Sequence, residues 1–137
     1  MIDFLKRLAL KILIAFLLLS ITTLLLGCSD GTSNSTKPDN VSDQHYRYAL
    51  KAIEIADGYL DYEITATDAY LQISDLLDRE NELPESKFAD ENYRIESSTW
   101  RLNWEIGKAM DAASSEVYNK IVEFRNEIAE LIGVKLR

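Results

Sequence analysis

This chain of 137 residues reads as all-α: a long antiparallel helical hairpin of coiled-coil type, with a compact three-helix bundle as the alternative. Three observations predict it. Apolar residues recur at steps of three and four along two long stretches, one on each side of residues 81–85. There are only 5 Gly and 2 Pro among plentiful Ala, Leu, Ile and acidic residues, a balance that favours helix over sheet. Cap and turn residues stand where helices of that length would start and stop.

The first element is a leader. Lys6, Arg7 and Lys11 precede residues 12–26, which are apolar except for Ser20, Thr22 and Thr23. Positive charge stays on the cytoplasmic side and orients such a segment. The run would be roughly 22 Å long as a helix, whereas a bilayer span takes about 20 residues. It therefore suits a signal peptide better than a permanent anchor. Counted back to Leu8, it keeps an uncleaved anchor as the alternative. The run closes on Leu25, Leu26, Gly27 and Cys28, the only cysteine. These four residues resemble a bacterial lipobox, and residues 1–28 resemble a bacterial lipoprotein signal. Leu26 is bulkier than the small residue usual at its place. The resemblance implies cleavage after Gly27 and a diacylglycerol on the Cys28 thiol, with fatty chains such as palmitate. It also implies a mature chain anchored on the extracytoplasmic face of a bacterial cell membrane. Ser29 rather than aspartate follows the cysteine, which in a two-membrane bacterium implies the outer membrane.

Loss of residues 1–27 removes three basic residues and one acid, taking the net charge from −8 to −10. With Cys28 lipidated no thiol is left for a disulfide, so packing alone must hold the domain, even in an oxidising compartment. The acidity speaks against nucleic acid, which requires clustered Lys and Arg. It also speaks against lying flat on an anionic membrane, which repels acids within about 8–10 Å at physiological salt. Residues 28–40 are expected to be the lipidated cysteine and a disordered polar tether with Gly31 and Pro38. About a dozen such residues reach near 20 Å. The helical domain is expected over residues 41–137.

Its first arm starts at Ser42 as N-cap, with Asp43 in the first turn. Ala49, Ile53, Ala56, Leu60, Ile64, Thr67 and Leu71 continue with helical spacing towards Arg79, and Tyr59, Tyr62, Tyr70, Ile73 and Leu77 widen that stripe. Gly58 lies inside this stripe. Pro84, in the turn, suits the first turn of a second helix. The second arm is expected from about Ser86 to Ile132. Ile95, Thr99, Leu102, Ile106, Met110, Ala113, Val117, Ile121, Phe124, Ile128 and Leu131 form its seam, and Gly133 its C-cap. Ser114 or Ser115 can cap a separate third helix. A hairpin centred near residue 82 places Trp104 against Tyr59 and Tyr62, Arg101 near Glu63, Lys108 near Asp57, and Tyr118 beside Tyr46 and Tyr48.

Candidate contact residues are Trp100, Trp104 and Tyr93, which share one helical face, with Tyr59 and Tyr62 opposite. Trp and Tyr dominate binding hot spots, and a two-helix hairpin leaves some of them exposed. His45, the only histidine, is expected at the surface, with no neighbour that would make a transition-metal site. The acids around the turn (Asp75, Asp78, Glu80, Glu82, Glu85, Asp90 and Glu91) lack calcium-loop spacing and read as a solvated tip. No serine-nucleophile motif, phosphate loop or cofactor motif stands out, so neither an enzyme nor a metal or cofactor is expected. The expected role is interaction: a membrane-anchored adaptor, accessory subunit or exclusion factor. Two alternatives remain, a binder of a small apolar or peptide ligand between its helices, and a spacer that assembles with itself.

Overall fold

A computed structural model describes residues 36–137. Among these residues the chain is all-helical. It forms α1 (Asp43–Leu60), α2 (Ala66–Asp78), a 3₁₀ turn (Glu80–Glu82), α3 (Glu91–Asp111) and α4 (Ser115–Leu131). Each expected arm is therefore two helices, and the arrangement is neither a two-helix hairpin nor a three-helix bundle. The signal peptide, Gly27, Cys28 and residues 29–35 lie outside the described residues.

Local chemistry explains both breaks. α1 begins where expected, with the Ser42 side chain accepting from His45 N–H at 3.1 Å. It stops at Leu60 because two amides turn back: Glu63 N–H and Ile64 N–H both donate to Gly58 C=O, at 2.8 and 3.2 Å. Tyr62 takes the left-handed region usually left to glycine, at φ 61°. Thr65 then caps α2 in a capping box with Asp68, each side chain satisfying the other's orphan amide. The second break follows Asp111, where Ala112 is extended and the Ser114 side chain accepts from Val117 N–H at 3.2 Å to start α4. Between α2 and α3 the chain turns as expected, but Pro84 sits in the loop. Asp90 caps α3, accepting from Tyr93 N–H at 2.8 Å. α4 ends as the sequence indicates. Gly133 is left-handed at φ 70°, and Val134 N–H closes onto Ala129 C=O at 2.9 Å.

The helices run up, down, up and down. α2 and α3 are antiparallel, joined by Asn103 to Ser74 at 3.2 Å and by Trp100 to Glu80 at 3.3 Å. α4 closes the bundle against α1 and α3. The core holds Ala49, Ala52, Ile53, Ala56 and Leu60 of α1, Ala69, Ile73 and Leu77 of α2, Ile95, Leu102 and Ile106 of α3, and Ile121, Ile128 and Ala129 of α4. The breaks re-phase the apolar stripes. After residue 65 the buried row is Ala69, Ile73 and Leu77, while the expected Thr67 and Leu71 are exposed. Met110 and Ala113 leave the expected seam because they flank the second break. The arm-to-arm pairings change accordingly. Arg101 stacks over Phe124 at 5.9 Å rather than reaching Glu63. Lys108 binds Glu105 at 2.7 Å. Asp57 pairs with Arg125 and not with Lys108. Tyr118 lies with Tyr59 and Tyr62 rather than beside Tyr46 and Tyr48.

One end of the bundle receives the chain. Val41 N–H donates to Pro38 C=O at 3.2 Å, Lys37 pairs with Asp43 at 3.1 Å, and Pro38 lies beside Gly133. Ser42 N–H donates to Asn92 Oδ1 at 3.1 Å. The last five residues of the expected tether are thus fixed where α1 and α3 start and α4 ends. No helix of the described residues is long and apolar enough to cross a membrane.

Candidate interaction face

α3 is capped and packed on one side by α2 and on the other by α4, so it is a rigid support for its outer row. That row carries Tyr93, Ser97, Trp100, Trp104, Lys108 and Asp111 at steps of three and four. Trp100 is 57% exposed and Trp104 67%. Such large rings rarely stand bare in a sealed bundle. Tyr93 is also exposed and meets Phe88 with ring centroids 5.2 Å apart. The Trp100 indole N–H donates to Glu80 Oε2 at 3.3 Å, which fixes the ring against the loop after α2. Burial pushes the Glu80 carboxyl above its ordinary range, and the indole bond only partly opposes that.

Beside Trp104 the surface dips into a groove of about 420 Å³ lined by Tyr70, Trp104, Gly107, Lys108, Met110 and Asp111. Gly107 admits the Tyr70 ring, since a Cβ there would stand 3.3 Å from it. The Lys108 ammonium lies 6.0 Å from the Trp104 ring centroid, at the limit of a cation–π contact.

The sequence-derived contact residues divide. Trp100, Trp104 and Tyr93 share the α3 face. Tyr59 and Tyr62 are elsewhere, around a separate depression with Ala113, Ser114 and Tyr118. The expected meeting of Trp104 with Tyr59 and Tyr62 does not occur: Trp104 lines one depression and the two tyrosines another. The sequence did not place Tyr70 or Phe88 at this face, and Glu80, expected in a solvated tip, is instead partly buried against Trp100. Gly107, three residues from Trp104, was the available signal for a close neighbour there.

His45 is fully buried rather than exposed. Its Nε2 lies 2.6 Å from Glu96 Oε1 and its Nδ1 lies 2.7 Å from Ser42 Oγ. The other Glu96 oxygen accepts from the Ser86 hydroxyl at 2.9 Å. A hydroxyl, an imidazole and a carboxylate in line suggest a hydrolytic relay, but Ser42 Oγ also caps α1. The cluster ties the starts of α1 and α3 to the loop between α2 and α3. A second tie holds the C-terminal tail. Arg125 makes a two-pronged contact with Asp57 at 2.9 and 2.7 Å and donates to Lys135 C=O, while Arg137 grips Asp61. Hydrogen bonding by Arg137 holds the Asp61 carboxyl below its ordinary range. Among the described residues no three His, Cys, Asp or Glu side chains converge on a metal position.

The chain matches no family model, no curated protein and no solved structure.

Proposed function

We propose that this chain is a lipid-anchored interaction module on the outer face of a bacterial membrane, acting as an adaptor, accessory subunit or exclusion factor. One observation carries the contact part: Trp100 and Trp104 stand exposed, side by side, on a helix whose packing holds it rigid. Aromatic anchors on a rigid element lose little entropy on binding. Residues 1–28 carry the address, through Cys28 and the lipobox-like residues before it. Acidity keeps the bundle off anionic lipid, so the α3 face meets proteins and not the bilayer. The module binds and does not catalyse. Its buried histidine is held between Ser42 and Glu96 as part of the helix-capping cluster.

The groove at Tyr70 and Met110 supports a narrower reading, a small apolar or peptide ligand, since its volume falls in the range of ligand sites. A photo-reactive amino acid in place of Trp104 tests the two readings together in the native membrane. The interaction reading expects a cross-linked protein species from position 104 and none from Glu54 or Glu130, exposed positions on other helices. Equal capture at all three would reject it. A mass gain of only a few hundred daltons at position 104 would favour the ligand.

A further inference from the structure

We propose that the α3 face is covered by a second copy of this chain, in a two-fold dimer whose α3 helices run parallel, with Trp100 and Trp104 meeting their own counterparts. This rests on the reading of that face as a contact surface and names its occupant.

Chain entry sets the direction. The described chain starts at Thr36, at the bundle end that holds the starts of α1 and α3. Seven residues separate Thr36 from Cys28, a reach of roughly 15 Å. Copies anchored at Cys28 in one membrane therefore present the same end to it, and their α3 helices point the same way.

Charge favours the same geometry. A two-fold axis along parallel helices brings opposite flanks of the face together. An antiparallel pair would bring each flank against itself. The flank towards α4 is basic. Arg94 and Arg101 line a depression there with Glu127 as its one acid, and the Arg101 guanidinium stacks on Phe124. The flank towards α2 is acidic, with Glu80 held against Trp100 and with Asp78 and Glu82 exposed nearby. In the parallel dimer Arg101 of one copy approaches Glu80 of the other, twice. In the antiparallel pair arginines face arginines and acids face acids, which costs affinity.

Area is sufficient for tethered copies. The exposed parts of Trp100, Trp104, Tyr93, Phe88 and Met110 amount to on the order of 500 Å² per copy, the size of a weak contact between free molecules. Tethering to one surface raises the effective concentration enough for such a patch to pair. Ser97, small and between Tyr93 and Trp100 on the row, lets the two helices approach.

Ser97→Cys in the otherwise intact, lipidated chain tests this in native membranes under mild oxidation. The parallel dimer places residue 97 opposite residue 97, so a covalent species of twice the mass is expected, while Asn119→Cys, exposed on α4, stays single. Adding Arg101→Glu should cut the yield at least about tenfold. Adding Glu80→Arg as well should restore it, which a folding defect would not allow. A single-mass Ser97→Cys chain overturns the proposal. So does a dimer that needs the pair Ser97→Cys and Lys108→Cys, the antiparallel signature. If Ser97→Cys is silent while the probe at 104 captures a different protein, the dimer falls and the contact face stands. Silence in both removes both.

Discussion

Asp90 shows how one carboxylate can start a helix and make its stability depend on pH. Its carboxyl accepts from Tyr93 N–H, then from Lys87 N–H, and these bonds hold it below the ordinary value of 3.8. A depressed folded-state pKa contributes stability above that ordinary value, and the contribution is lost as pH falls through the lower folded one. Asp90→Ala should cost about 1 kcal/mol near neutral pH. In urea melts the gap to the unmodified chain should close as pH drops below 3.8. Glu80 has the opposite sign. Burial raises its pKa above 4.5, so it favours folding at low pH and loses that contribution as pH rises through the raised value. His45 is a case the sequence conceals. Its burial depends on Glu96, 51 residues away, and nothing near His45 signals that partner. His45→Ala should cost about 2 kcal/mol, because it leaves the half-buried Glu96 carboxylate without its imidazole. The matching double change with Glu96→Ala should cost less than the sum of the two singles, as read from chemical denaturation.

Helix type, the turn near residue 82, the Ser42 cap and the Gly133 stop were all legible, because each depends on neighbours within a turn or two. The break before α4 was legible as a possible cap at Ser114 or Ser115, and Ser114 is that cap; the break at residues 61–65 was not. Ile64 and Leu71 kept the apolar steps in phase through residues 61–65, and periodicity alone cannot tell one helix from two that share a phase. The overriding signal was Thr65 with Asp68, three residues apart, a capping box in the middle of an apparently continuous stripe. Thr65→Ala should therefore lower stability by about 1 kcal/mol rather than merge α1 with α2. Far-UV circular dichroism should show no gain in helix. Ile73, fully buried on the re-phased row of α2, is the converse case. Ile73→Ala should cost about 2–5 kcal/mol, whereas Leu71→Ala, on the row the unbroken arm would have buried, should change stability by less than about 0.5 kcal/mol. The Trp100 and Trp104 face was legible from spacing alone. Its neighbours were not, since Tyr70 and Glu80 arrive only once α2 folds back along α3.

Among the described residues, four helices close a core that two long arms would have left half open. Closure is what leaves the α3 aromatics as surplus, since the core is filled without them. It also fixes where residues 36–41 enter the bundle, at the end where α1 and α3 start. The proposed lipid address has its own test. Cys28→Ser should abolish incorporation of labelled fatty acid and leave a precursor that still carries residues 1–27, as read by intact mass. Arg125→Ala should free the C-terminal tail, since it removes both the Asp57 pair and the bond to Lys135 C=O. A loss of about 2 kcal/mol is expected, with early proteolysis near Lys135. The proposed contact requires the α3 face to be bare in the isolated chain and covered in the cell. Hydroxyl-radical footprinting, read at both tryptophans in native membranes and in the purified full-length chain diluted in detergent, measures that cover directly. Strong protection of Trp100 and Trp104 in the membrane, with exposed Tyr62 labelled alike in both samples, is the predicted result. Equal labelling of the two tryptophans in both samples would contradict it.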